Sequence, residues 1–87
     1  MFKFIQEGKE YFVKYLNEEK RPLTNLEINN LYERINSVID ILGLKEDYDK
    51  AKLDNLSLID FAYYKDIDLD ACLYATLSQF RLERPLV

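Results

Sequence analysis

Residues 24–43 read TNLEINNLYERINSVIDILG, and this stretch carries the strongest structural signal in the chain. Thr24 followed by Glu27 is a capping-box pattern, in which each side chain can bond a backbone N–H at the start of a helix. Gly43 can adopt a positive φ and so end the helix. The pattern predicts a helix over residues 25–42. Its apolar residues recur at steps of three and four and form one stripe: Ile28, Leu31, Ile35, Val38, Ile39 and Leu42.

A second helix is predicted near the carboxyl end, over residues 69–82. Asp68 can cap this helix, and Pro85 prevents it from continuing. The residues on its apolar side are Leu69, Cys72, Leu73, Thr76, Leu77 and Phe80.

Two shorter helices are predicted between these long ones. Ser57 and Asp60 repeat the capping-box spacing and indicate a helix of about two turns that ends near Lys65. Residues 46–53 have a helical composition, and they form either a separate helix or the lead-in to the next one.

The amino-terminal segment allows two interpretations. As a helix, it places Phe2, Ile5, Phe12 and Leu16 on one face. As a β-hairpin, it forms two aromatic-rich strands that turn around Glu7 and Gly8, and this hairpin would have to pack on the helices to be stable. The Glu, Gln and Lys content and the absence of an Asn-Gly or Asp-Gly turn favour the helix.

The predicted fold class is therefore all-α: one small domain over residues 1–87, built as a bundle of about four helices with short connections. Two glycines and two prolines are too few turn residues for an all-β sandwich or barrel. The residues expected in the core are Ile5, Phe12, Leu16, Leu31, Ile35, Val38, Leu42, Ile59, Leu73, Leu77 and Phe80.

Missing residue types argue against an enzyme and against a bound cofactor. The sequence has no His, which removes the commonest general base and zinc ligand. Two glycines cannot build a phosphate-binding loop. Cys72 is the only cysteine, and its apolar stripe and acidic neighbours indicate a structural thiol.

Three alternating carboxylates, Asp66, Asp68 and Asp70, resemble the opening of an EF-hand calcium loop. That loop requires Gly at its sixth position and Glu at its twelfth, where this chain has Ala71 and Leu77. We interpret the three acids as capping and first-turn residues of the last helix, so no metal site is predicted.

Charge and hydropathy limit the partners and the location. The net charge of −4 lacks the basic surplus that binds phosphates, so direct binding to nucleic acid or to an anionic membrane is disfavoured. The amino terminus lacks the apolar run of a signal peptide, and no stretch approaches the ~20 apolar residues of a membrane span. These features predict a cytoplasmic protein.

The remaining signal is a surplus of Tyr and acid. Seven tyrosines are many for so small a core, and Tyr is enriched among the anchor residues of protein interfaces. The residues predicted to bind a partner are Tyr63, Tyr64, Tyr74, Asp66 and Asp70. The leading hypothesis is a non-catalytic protein-binding module, an inhibitor or adaptor that acts by surface complementarity.

Two alternatives stay open. The stripe of the helix at residues 25–42 can serve a symmetric interface, which would make the chain a homo-oligomeric structural or assembly protein. The acidic surface can also imitate nucleic-acid phosphates and inhibit a nucleic-acid-binding protein. In composition alone, the chain resembles many phage accessory and inhibitor proteins, immunity proteins and antitoxins, with no shared motif.

Overall fold

The amino-terminal segment forms a β-hairpin, so the expected all-α fold is wrong and the chain is α+β. The computed structural model describes the backbone of residues 2–83 and the side chains of residues 3–79. In it, strand β1 (Phe2–Glu7) pairs antiparallel with β2 (Glu10–Tyr15). A short strand β3 (Arg21–Pro22) adds to β2 within the predicted connector, which gives the sheet order β1-β2-β3.

The hairpin turn explains why the helix prediction failed. Glu7 pairs with Glu10, so Gly8 and Lys9 form a two-residue turn, and Gly8 has a φ of +60°. A positive φ at the first turn position favours Gly and is a feature of the II′ hairpin turn. The sequence signal for this turn is therefore Gly-Lys, whereas the helix prediction rests on the absence of Asn-Gly and Asp-Gly.

Apolar residues on both faces of the hairpin also obscured its period-two pattern. Phe4 and Val13 face each other across the strands and are buried against the helices. Ile5 and Phe12 form the next pair on the opposite face, where both are half-buried. Lys20 lies 4.8 Å from the centre of the Phe12 ring and partly covers it. A half-buried outer face made the strands resemble an amphipathic helix.

Helices are present at all four predicted places, and the hydrogen bonds of their predicted caps are present too. Thr24 and Glu27 form the complete capping box, while Ser57 accepts the N–H of Asp60 and Asp68 accepts the N–H of Ala71. The helices are α1 (Asn25–Ile41), α2 (Lys45–Leu53), α3 (Leu58–Tyr64) and α4 (Leu69–Glu83).

The core lies between one face of the sheet and the inner sides of the helices. Of the expected core residues, four are fully buried, namely Leu31, Ile35, Ile59 and Leu73. Val38 and Leu77 are half-buried against them. Other buried residues are Phe4, Val13, Leu23, Ile39, Phe61, Ala62, Ile67, Leu69, Cys72 and Thr76.

The other expected core residues are not in the core. Leu16 is exposed because it follows the end of β2, and Leu42 is exposed at the cap beyond the end of α1. Ile5 and Phe12 are only half-buried because they lie on the outer face of the hairpin. The side chain of Phe80 lies outside the described residues.

Candidate functional site

Helix α3 presents one tyrosine and one carboxylate to solvent on the same side. Asp60 and Tyr63 are three residues apart, so they are neighbours on the helix surface. Ile59 and Ala62 are fully buried on the other side and hold the helix against the core. Burial of that side fixes which way Asp60 and Tyr63 face.

A tight reversal after α3 brings the start of α4 back beside Tyr63. Asp66 has a φ of +56°, and its N–H donates to the carbonyl of Tyr63 at 3.1 Å. The N–H of Ile67 donates to the carbonyl of Ala62 at 2.9 Å. These two bonds have the pattern of a helix end closed by a left-handed residue.

Four residues then form an acidic aromatic surface, which we call the Tyr63 face: Asp60, Tyr63, Asp70 and Tyr74. Burial raises the pKa of Tyr63, and the nearby carboxylates of Asp70 and Asp60 raise it further. Tyr74 lies one helical turn after Asp70 on α4. The two tyrosines are 50% and 62% exposed, so both rings are accessible to a partner.

The carboxylates of the Tyr63 face have no cationic neighbour among the described side chains. Within residues 3–79, no Lys or Arg nitrogen lies within 4.0 Å of either carboxylate. Lys65 is close to these acids in the sequence, but it forms an ion pair with Asp47 instead, with its Nζ 3.4 Å from Asp47 Oδ2. The negative charge of this surface is therefore left for solvent or for a partner.

A second pair of tyrosines lies at the edge of the core, near the Tyr63 face. The hydroxyl of Tyr32 donates to that of Tyr11 at 3.3 Å, and their rings meet edge to face at 85°. Burial raises the pKa of Tyr11, with further contributions from Tyr32, Asp60 and Tyr63. No local sequence pattern indicates this grouping, because β2, α1 and α3 each supply a part of it.

Asp70 also reaches the sheet. Its Oδ1 accepts a hydrogen bond from the backbone N–H of Phe4 at 2.7 Å. This bond ties the first turn of α4 to strand β1, so Asp70 has a structural role in addition to its place on the Tyr63 face.

Two of the five predicted partner-binding residues lie elsewhere. Tyr64 is 74% exposed and points about 100° around α3 from Tyr63, with the Lys65 ammonium 5.2 Å from its ring centre. Asp66 lies in the reversal itself and is exposed. Tyr64 borders an open groove of about 420 Å³ between α2 and α3, lined by Asp47, Lys50, Ala51, Asp54, Leu56, Phe61, Tyr64 and Lys65.

The late aspartates and Cys72 do not form a reactive centre. Asp68 and Asp70 each accept a backbone N–H, and no group of three metal-ligating side chains occurs among the described residues. Burial raises the pKa of the Cys72 thiol, Asp68 raises it further, and Arg34 acts in the opposite direction. A buried thiol with a raised pKa is a poor nucleophile.

Comparisons with protein-family models, with curated proteins and with solved structures found no match. In residues 2–83, no helix combines the length and the apolar character that a membrane-spanning segment needs.

Proposed function

We propose that this chain is a non-catalytic protein-binding module, an inhibitor or adaptor, that binds a basic surface of another protein through the Tyr63 face. Two observations support this proposal. The rings of Tyr63 and Tyr74 are accessible, and within residues 3–79 the carboxylates of Asp60 and Asp70 form no ion pair with Lys or Arg. We also propose that it acts in the cytoplasm.

The chemistry of the Tyr63 face suits Arg and Lys side chains. A carboxylate binds a guanidinium through charge-assisted hydrogen bonds, and a phenol ring attracts a cation over its face. Tyr also contributes a large contact area while losing little conformational entropy. A basic partner surface would therefore gain both charge pairing and aromatic packing at Tyr63 and Tyr74.

The test is affinity capture from a lysate of the source organism, followed by mass spectrometry and a binding measurement with the captured protein. We expect Tyr74→Ala to weaken binding by about 30-fold, because an aromatic anchor contributes about 2 kcal/mol or more. Raising the salt concentration should slow association with the same partner, because complementary charges steer the encounter.

Tyr64→Ala is the matched control. It removes an exposed tyrosine that points about 100° around α3 from Tyr63 and borders the groove beside α2. Binding should therefore stay within about twofold of the wild type. Capture of no protein, or equal losses with Tyr74→Ala and Tyr64→Ala, would contradict the proposal.

A second candidate concerns the kind of partner. Asp60, Asp66 and Asp70 are exposed over a short stretch of chain, which favours an imitation of nucleic-acid phosphates aimed at a nucleic-acid-binding protein. In that case a DNA or RNA duplex should compete with this chain for the captured partner. A partner that binds this chain and nucleic acid simultaneously would contradict the mimicry.

The homo-oligomer alternative loses the observation on which it rested. The central residues of the α1 stripe, Leu31, Ile35 and Ile39, are buried inside this chain and do not form an exposed seam. We therefore do not propose α1 as a symmetric interface.

A further inference from the structure

Strand β1 is an edge strand, and half of its backbone groups point away from the sheet. The two-residue turn closes on the pair Glu7 and Glu10, which is therefore hydrogen-bonded, and bonded pairs then alternate along the ladder. By this alternation, the N–H and C=O of Phe4 and Gln6 face outward. The bond from the Phe4 N–H to Asp70 shows this direction directly.

Asp70 blocks one of the outward backbone groups of this edge strand. Natural proteins protect edge strands because unpaired N–H and C=O groups readily accept another strand. Here the carboxylate of Asp70 occupies the outward N–H of Phe4 at 2.7 Å. Among the described residues, none is seen to bond the outward backbone groups of Gln6.

We infer that the edge of β1 is a latent self-association site, which binds β1 of a second copy of this chain when Asp70 releases Phe4. The pairing is antiparallel and two-fold symmetric about Ile5. In this register Phe4 faces Gln6 of the second copy, and both residues present outward backbone groups. Each such pair exchanges two N–H···O bonds.

Charge complementarity selects this register. Lys3 and Glu7 lie two residues on either side of Ile5, so each Lys3 faces Glu7 of the second copy. Both side chains are exposed on the outer face of the sheet. The Glu7 carboxylate also binds Lys20 of its own chain, so Lys3 of the second copy would join this ion pair. Opposite charges directly across a strand pair are stabilising, and like charges are destabilising. A symmetric pairing with its two-fold axis at Lys3, two residues from Ile5, would instead place the two Lys3 side chains opposite each other.

The wild-type chain should be monomeric at micromolar concentration, because Asp70 competes for the Phe4 N–H in both copies. Asp70→Ala removes the competing acceptor and should strengthen self-association by about tenfold or more. Asp70→Asn is the matched control, since it removes the same charge but keeps an oxygen that can accept from Phe4. Sedimentation equilibrium of the purified chain measures both, with circular dichroism as the check on folding.

A charge swap in the Asp70→Ala background tests the register. Adding Lys3→Glu should return the protein to monomer, because two carboxylates would then face each other at both ends of the pairing. Adding Glu7→Lys as well should restore the dimer. Equal association of Asp70→Ala and Asp70→Asn, or a dimer unaffected by Lys3→Glu, would overturn the inference.

Cysteine trapping gives a second measurement that keeps Asp70 intact. Ile5→Cys places a thiol at the two-fold axis, where oxidation can trap the rare open form as a disulfide-linked dimer. Lys14→Cys is the control, because it places an exposed thiol on the central strand β2. We expect crosslinking of Ile5→Cys to be about tenfold faster; equal rates would overturn the inference. Since only purified chain is used, this outcome is separate from that of the proposed function.

Discussion

Glu27 shows how much one residue can contribute locally. Its carboxylate accepts the N–H of Thr24 at 2.8 Å and binds the Arg21 guanidinium at 2.9 Å. Burial alone would raise the pKa of Glu27, but the hydrogen bonds from Arg21 and Thr24 lower it overall. The same ion pair raises the pKa of Arg21. Glu27 thereby links strand β3 to the start of α1.

The lowered pKa of Glu27 predicts a pH-dependent contribution to stability. Because the folded-state pKa lies below the unfolded value, the stabilisation is complete above that unfolded value and is lost as the pH falls through the folded pKa. We expect Glu27→Gln to cost about 1 kcal/mol at pH 7, and the two proteins to converge on acidification. Urea unfolding of both proteins from pH 7 to pH 3 measures this, and a constant difference would contradict it.

At the scale of elements, the hairpin depends on its turn. Gly8 has a φ of +60°, and a Cβ placed there would meet no atom within 4 Å. Any cost of a side chain at Gly8 is therefore a backbone cost and not a steric clash with the rest of the protein.

Gly8→Ala should lower the free energy of unfolding by about 1 kcal/mol, because an L-residue is strained at this positive φ. Lys9→Ala, at the neighbouring turn position, is the control and should change stability by less than about 0.5 kcal/mol. Urea unfolding of the three proteins measures both effects. Equal stability of Gly8→Ala and the wild type would show that the turn does not need this backbone conformation.

At the scale of the whole molecule, the core joins the sheet to the helices through a few fully buried side chains. Val13 from β2, Ile35 from α1 and Leu73 from α4 are each 0% exposed. For a chain of this size the core is thin, so the loss of one large side chain should remove a large part of the total stability.

Two Leu→Ala variants measure how much a buried side chain contributes to the free energy of unfolding. Leu31 is 0% exposed, whereas Leu53, the comparison, is 83% exposed. Leu31→Ala should cost about 3 kcal/mol through lost burial and a residual cavity. Leu53→Ala should stay within about 0.5 kcal/mol of the wild type. Thermal unfolding distinguishes the two, and similar melting temperatures for both variants would mean that Leu31 is not part of a packed core.

The sequence by itself determined helices α1, α3 and α4 and where they start. The capping bonds of Thr24, Ser57 and Asp68 each join residues three apart, so a short window of sequence contains all of their information. The start of a helix depends on residues that are close together in the chain, which is why these predictions agree with the structure.

Only the tertiary structure decided between hairpin and helix at the amino terminus, which further residues join the core, and the double role of Asp70. Strands satisfy their backbone groups with distant partners, and the bond between Phe4 and Asp70 spans 66 positions of the chain. Leu42 is expected in the core and is exposed, whereas Phe4 is not expected there and is buried, because burial depends on what packs against each element. Such contacts exist only after the chain has folded, so no local pattern encodes them.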